Sequence, residues 1–164
     1  MNLISLSASA PDPWIVPALE ALGAANTTSK TTPYIIAALS NTFRYPESDA
    51  RHLPSVYDAK LIALFDVFVS SAHEGVRKPD QAAYALALER INRVAKSKVE
   101  AGDVLFLDDI GTNLKEAKRF GFRTLLVPMN RTFESVRELE RLTGLDLGHG
   151  SPSLDHVSTR NVKL

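Results

Sequence analysis

Residues 104–127 read VLFLDDIGTNLKEAKRFGFRTLLV, and this stretch decides the fold class. Val104 to Leu107 is a short apolar run whose composition favours a buried strand, and it ends on two adjacent acids, Asp108 and Asp109. Asn113, with Glu116 three residues later, predicts a capping box opening a helix that runs to about Phe120. Gly121 is placed to stop that helix, and Arg123 to Val127 supplies a second apolar strand. Two short apolar strands joined by a helix are the unit of a parallel sheet, because parallel neighbours need a crossover connection.

The same alternation extends outward. Ala83, Leu86, Ala87 and Ile91 share one face of a predicted helix from Asp80 to about Val94, with Pro79 at its first turn. Before it lie a loop, SSAHEGVRKP, a strand at Phe65 to Val69, and a helix at Val56 to Leu64. Arg44 to Pro54 reads as an irregular excursion. Tyr34 to Leu39 (YIIAAL) reads as a strand that ends in Ser40-Asn41, and Trp14 to Leu22 as a short helix stopped at Gly23. Downstream, Thr132 to Leu142 is a charged amphipathic helix, and the segment beyond Gly144 reads as a frayed tail. Arg93 to Lys98 is a solvated linker. Strand and helix alternate four times, which predicts an α/β fold with an open parallel sheet flanked by helices.

Composition narrows the function classes. The 164 residues are 45% hydrophobic, and 19 basic residues balance 19 acidic ones, so no overall field draws a nucleic acid. There is no cysteine, which removes disulfides, thiolate metal sites and cysteine nucleophiles. The opening MNLISLSASAPDPW lacks the basic region of a signal peptide, and no stretch approaches the ~20 apolar residues of a membrane span. A cytoplasmic protein with no membrane partner is the expectation. Oligomeric state is not encoded legibly.

Ligands of open parallel sheets bind beyond the carboxyl ends of the strands. Three polar groups fall there: Ser40-Asn41, Lys78, and Asp108-Asp109. A hydroxyl, a cation and a pair of carboxylates suit phosphoryl chemistry, with Mg²⁺ on the acids and lysine on the phosphate charge. Each group also has a plainer reading. Ser-Asn after a strand is turn chemistry, and a lysine before a proline is an exposed cation. Adjacent acids at a strand end repel one another, which favours a cation between them.

LSNTF, GVRKPD and the 104–127 stretch resemble motifs II, III and IV of the haloacid dehalogenase superfamily. The resemblance spans roughly Trp14 to Glu140 and is closest to the phosphatase-like N-terminal domain of soluble epoxide hydrolases. It implies a Rossmann-like α/β core that hydrolyses a phosphate monoester, a small phosphorylated metabolite, through an aspartyl-phosphate. By the same resemblance Ser40 binds the phosphoryl group and Asn41 frames it. Lys78 is the catalytic cation, Asp108 and Asp109 hold Mg²⁺, and Asn113 is a supporting polar residue. Residues 1–30 become a remnant of a cap or linker, 31–143 the core, and 144–164 a flexible tail.

The chain departs from the family in one motif. The nucleophile's Asp-x-Asp occurs nowhere, and with it the family's central first strand and most of the cap are missing. Asp12, between Pro11 and Pro13, has no apolar strand leading into it and is not expected to serve as nucleophile. Loss of a central strand leaves main-chain groups of both neighbours unpaired, a cost of several kcal/mol against a total stability of about 5–15 kcal/mol. Either the flanking strands close up, or another segment such as Met-Asn-Leu-Ile-Ser-Leu substitutes, or the chain is a truncated fragment. The expected function is a Mg²⁺-dependent phosphatase-type domain, inactive alone. The alternative is a non-catalytic module that binds phosphate and Mg²⁺. A phospho-acceptor receiver domain fits poorly, because its acidic pair comes near the start of the chain.

Overall fold

The computed structural model describes residues 12–28, 34–43, 48 and 56–148. In chain order these form α1 (Ile15–Thr28), β1 (Ala37–Ser40), α2 (Val56–Ile62), β2 (Val67–Ser70), α3 (Ser71–Glu74) and α4 (Gln81–Val94). They continue with a 3₁₀ turn (Ala101–Asp103), β3 (Leu105–Asp108), α5 (Gly111–Phe120), β4 (Arg123–Leu126) and α6 (Thr132–Thr143). Both strand pairs are parallel. Ala37 to Ser40 lie opposite Val67 to Ser70, and Leu105 to Asp108 opposite Arg123 to Leu126.

Three apolar clusters hold these elements. The first joins Ala18 and Leu22 of α1 to Ile36, Val136 of α6 and Leu147. Val67, Val69 and Ile91 form the second, between β2 and α4. The third surrounds Tyr84, which is fully buried among Phe106, Phe120 and Phe122 with ring centroids 5.6–6.2 Å away. This last cluster docks α4 and α5 against β3. Gly121 ends α5 at φ 109°, a left-handed conformation that the Gly reaches at little steric cost.

Several expectations need correction. The first helix runs through Gly23 to Thr28; glycine inside a helix costs only about 1 kcal/mol, and Asn26 anchors the far end by exchanging hydrogen bonds with the main chain of Tyr34. Asp12 caps this helix. Its carboxylate accepts from the Trp14 and Ile15 N–H groups and from the Thr132 hydroxyl, which occupies the acid structurally. Part of the expected loop after β2 is the one-turn helix α3. Pro79 lies one residue before the N-cap Asp80 rather than in the first turn of α4, and its bond to Lys78 is cis. Asn113 does not cap α5, since Ile110 holds the cap position and the Asn113 amide turns toward Asp108. Beyond Gly144, Leu147 is 1% exposed and packs in the first cluster, so the chain to Gly148 continues the fold. The Met-Asn-Leu-Ile-Ser-Leu run, nearly all of the 44–54 excursion, and residues 149–164 lie outside the described residues.

The parallel, helix-flanked architecture is as expected, but the sheet is divided. Among the described residues β1 pairs only with β2, and β3 only with β4. The flanking strands have not closed up. A cavity of about 550 Å³ lies between them, lined by residues 35–40 and 103–109 with side chains of α1, α4 and α6. Its effect on burial is direct: Leu105, Phe106 and Leu107, expected to be interior, are only half-buried.

Candidate functional site

The carboxyl ends of β1 and β3 open onto the same end of this cavity, and Ser40, Lys78, Asp108 and Asp109 all line it. Ser40 is the last residue of β1 and is buried. Asp108 is the last residue of β3, and chain direction carries Asp109 past the strand end. Lys78 reaches the site from the loop before α4.

Asp108 is the best-held group. One carboxylate oxygen, Oδ2, accepts from Lys78 Nζ at 2.7 Å, and both side chains are about 5% exposed. The other, Oδ1, accepts from the Ile110 N–H at 2.8 Å and from Asn113 Nδ2 at 3.0 Å. A buried ion pair is stable only when the remaining lone pairs are satisfied, and Asn113 and Ile110 do this here. Lys78 Nζ also lies 5.5 Å from the Phe106 ring centroid, a distance at which the π face attracts a cation. Behind Asn113, its carbonyl accepts from the Tyr84 hydroxyl at 2.8 Å. Burial, and then the nearby Asp108 charge, push the Tyr84 phenol up to about 12. It is a neutral donor throughout the physiological range.

Asn41 is joined to the main chain of Lys78. Its Nδ2 donates to the Lys78 carbonyl and its Oδ1 accepts from the Lys78 N–H, each at 2.9 Å. These two bonds imitate a strand ladder and fix the lysine's backbone, so Asn41 positions Lys78. Asp109 is the converse case: half-buried at the cavity, its carboxylate has no hydrogen-bond or ion-pair partner among the described residues. Lys78 offsets the charge of Asp108, which lowers the repulsion between the adjacent acids.

As a cation site this arrangement supplies one uncommitted carboxylate, with Asp108 beside it. No group of three or more His, Cys, Asp or Glu is gathered for a metal among the described residues. That donor set still fits Mg²⁺, which takes one or two carboxylates and fills its octahedron with water and substrate oxygens. Sequence reading named Ser40, Lys78, Asp108, Asp109 and Asn113, which the fold brings together here. It missed Tyr84 and Phe106, although Phe106 lies two residues before Asp108 and so shares its strand face.

A parallel α/β domain with a hydroxyl, a lysine and two acids at its strand ends is the class these features define. No model of a known protein family matches the sequence. Bifunctional epoxide hydrolase 2 from Sus scrofa is 40% identical over 83 residues, 51% of this chain and 14% of that protein. Acyl-CoA dehydrogenase family member 10 from Mus musculus is 39% identical over 89 residues, 54% of this chain and 8% of that protein. The chain thus spans only a small part of the curated relatives it matches. Among solved structures, a dehalogenase with intermediate complex superposes with TM-score 0.58 at 25% identity, covering 82% of this chain and 57% of that one. An uncharacterized protein from Corynebacterium glutamicum, at 21% identity, gives TM-score 0.60 over 86% of this chain and 89% of that one. The chain is thus similar in fold to a dehalogenase and in sequence to a part of these curated proteins. Among the described residues no helix is long and apolar enough to cross a membrane.

Proposed function

We propose that this is a haloacid dehalogenase-like hydrolase domain of the Mg²⁺-dependent phosphatase type, acting on a small phosphate monoester, and that the chain alone binds such a ligand without turning it over. The observation that carries the reading is the convergence of Ser40, Lys78, Asp108 and Asp109 on one cavity. Lys78 attracts a phosphate dianion into the cavity while remaining tied to Asp108, so it acts as a fixed charge. The Ser40 hydroxyl would hold a phosphoryl oxygen. Asp109, with Asp108 through water, would hold Mg²⁺, whose contribution is to neutralise charge on the phosphoryl oxygens.

The absence of turnover follows from the acids. Those lining the cavity among the described residues are Asp103, Asp108 and Asp109. Asp103 lies at the amino end of β3 and its carboxylate accepts from the Glu100 N–H. Asp108 is consumed by Lys78, Ile110 and Asn113. Asp109 is the acid assigned to the cation. No carboxylate among these remains to attack phosphorus, which favours the second reading too: a phosphate- and Mg²⁺-binding regulatory module derived from this fold.

Hydrolysis of p-nitrophenyl phosphate with Mg²⁺, beside calorimetric titration of inorganic phosphate, separates the two parts. The expected result is Mg²⁺-dependent phosphate binding with no hydrolysis above buffer. Hydrolysis abolished by Asp109→Asn would overturn the claim that a nucleophile is lacking. Absence of phosphate binding by the folded chain would overturn the site.

A further inference from the structure

A second recess, of about 310 Å³, lies at the carboxyl ends of β1 and β2. It is bounded by Thr42 and Phe43, which leave β1, and by the run from Ser71 to Arg77. Asn41 and Lys78 stand between it and the cavity already described. Two hydrogen bonds of 2.9 Å tie the Asn41 side chain to the Lys78 main chain. Thr42 follows the one residue and Arg77 precedes the other, and consecutive α-carbons are only about 3.8 Å apart. The wall between the two spaces is therefore one residue thick. Lys78 is buried and lines the cavity, whereas Arg77 is exposed and lines the recess. Neighbouring cations thus face two adjoining spaces.

Hydrogen bonds fix the floor of the recess. The Thr42 N–H donates to Ser71 Oγ at 2.9 Å, and Ser71 Oγ donates to the Thr42 carbonyl at 3.2 Å. Thr42 Oγ1 accepts from the Ala72 N–H at 3.2 Å and lies 2.6 Å from Ser70 Oγ, which meets His73 Nδ1 at 2.9 Å. These groups are committed to one another, so they hold the loop in shape before any ligand arrives. The Arg77 guanidinium is different. It has no hydrogen bond or ion pair among the described residues, and no carboxylate among them lines the recess. Phe43 is 80% exposed and, with Ala72 and Val76, gives the recess an apolar side.

We propose that this recess is a subsite for a second acidic group on the ligand of the neighbouring cavity. The monoester held at Ser40 and Lys78 carries a carboxylate that pairs with Arg77, on a short apolar or aromatic linker lying against Phe43. The inference rests on the phosphate reading of the cavity and narrows its substrate class to phosphorylated carboxylic acids. A guanidinium offers two parallel N–H donors that match the two oxygens of a carboxylate. Its single charge balances one carboxylate but only half of a second phosphate dianion, which favours the carboxylate. Because the pair forms at the surface, solvent screens it and the gain in affinity is severalfold rather than many orders of magnitude.

Calorimetric titration of the full chain in Mg²⁺ with phosphonobutyrate and with butylphosphonate tests this. Neither can be hydrolysed, and the two are alike in length and differ in the terminal carboxylate. The carboxylate should tighten binding by at least about threefold, and in Arg77→Gln the two affinities should become equal. Comparing both ligands within each protein cancels any effect of the substitution on the phosphonate end. A preference below about threefold in the native chain would overturn the subsite. So would a preference that survives Arg77→Gln, which would place the carboxylate on Mg²⁺ instead. Failure of both phosphonates while inorganic phosphate binds would overturn the subsite and leave the phosphate site standing. Failure of inorganic phosphate as well would bring down the phosphate reading itself, and the subsite with it.

Discussion

Replacing Lys78 with Met keeps most of the side chain's length and removes its charge. In the native fold Nζ lies 2.7 Å from Asp108 Oδ2 with both side chains about 5% exposed. At an effective dielectric constant of ~20 the attraction at that separation is about 6 kcal/mol, opposed by the desolvation that both ions have undergone. Loss of the ammonium alone leaves Asp108 charged, buried, and held only by the Ile110 N–H and the Asn113 amide. Breaking one side of such a pair costs about 3–5 kcal/mol. With a urea m-value near ~2 kcal/mol/M, the unfolding midpoint should fall by about 2 M. The double variant Lys78→Met/Asp108→Asn should recover at least half of the loss, because no uncompensated charge remains. Urea unfolding followed by circular dichroism measures all four corners of the cycle. A loss below about 1 kcal/mol in Lys78→Met, or strictly additive single-variant effects, would refute the reasoning.

Three further outcomes follow from named contacts. Because folding raises the Tyr84 phenol from 10 to about 12, its share of stability is complete below pH 10 and is lost as pH climbs toward 12. The loss is at most roughly 3 kcal/mol, and Tyr84→Phe should show a flatter decline over that window in denaturant unfolding. Asn41→Ala removes both bonds to the Lys78 main chain; a loss of about 1–3 kcal/mol is expected, with weaker phosphate binding by calorimetry even though Asn41 is a positioning residue. Leu147→Ala should cost about 2–5 kcal/mol in thermal unfolding, since Leu147 is 1% exposed in the first apolar cluster; a change under 1 kcal/mol would mean the segment past Gly144 is not part of the core.

The sequence shows most of the fold because strands and helices here are short, apolar and separated by strong stop signals. Gly121 ends α5 where a left-handed residue is needed, and the burial of Ala83, Ala87 and Ile91 follows the 3.6-residue spacing. What was illegible depends on distant contacts. Gly23 lacked the stopping power assigned to it because Asn26 is fastened to Tyr34, and no local pattern announces that pairing. Leu147 looked like tail because a single apolar residue has no periodicity. The strand ends gave the positions of Ser40, Lys78 and Asp108, yet adjacency alone could not divide the two acids. Only the approach of Lys78 from a loop 30 residues away distinguishes a neutralised Asp108 from an uncommitted Asp109.

That division is the centre of the account, and calorimetric titration of inorganic phosphate into the folded chain tests it most directly, with and without Mg²⁺, for the native sequence and Asp109→Asn. Phosphate should bind appreciably only when Mg²⁺ is present, and Asp109→Asn should weaken that binding by about tenfold or more, which is 1.4 kcal/mol, at unchanged urea stability. Equal phosphate binding with and without Mg²⁺, or an unaltered affinity in Asp109→Asn, would contradict it.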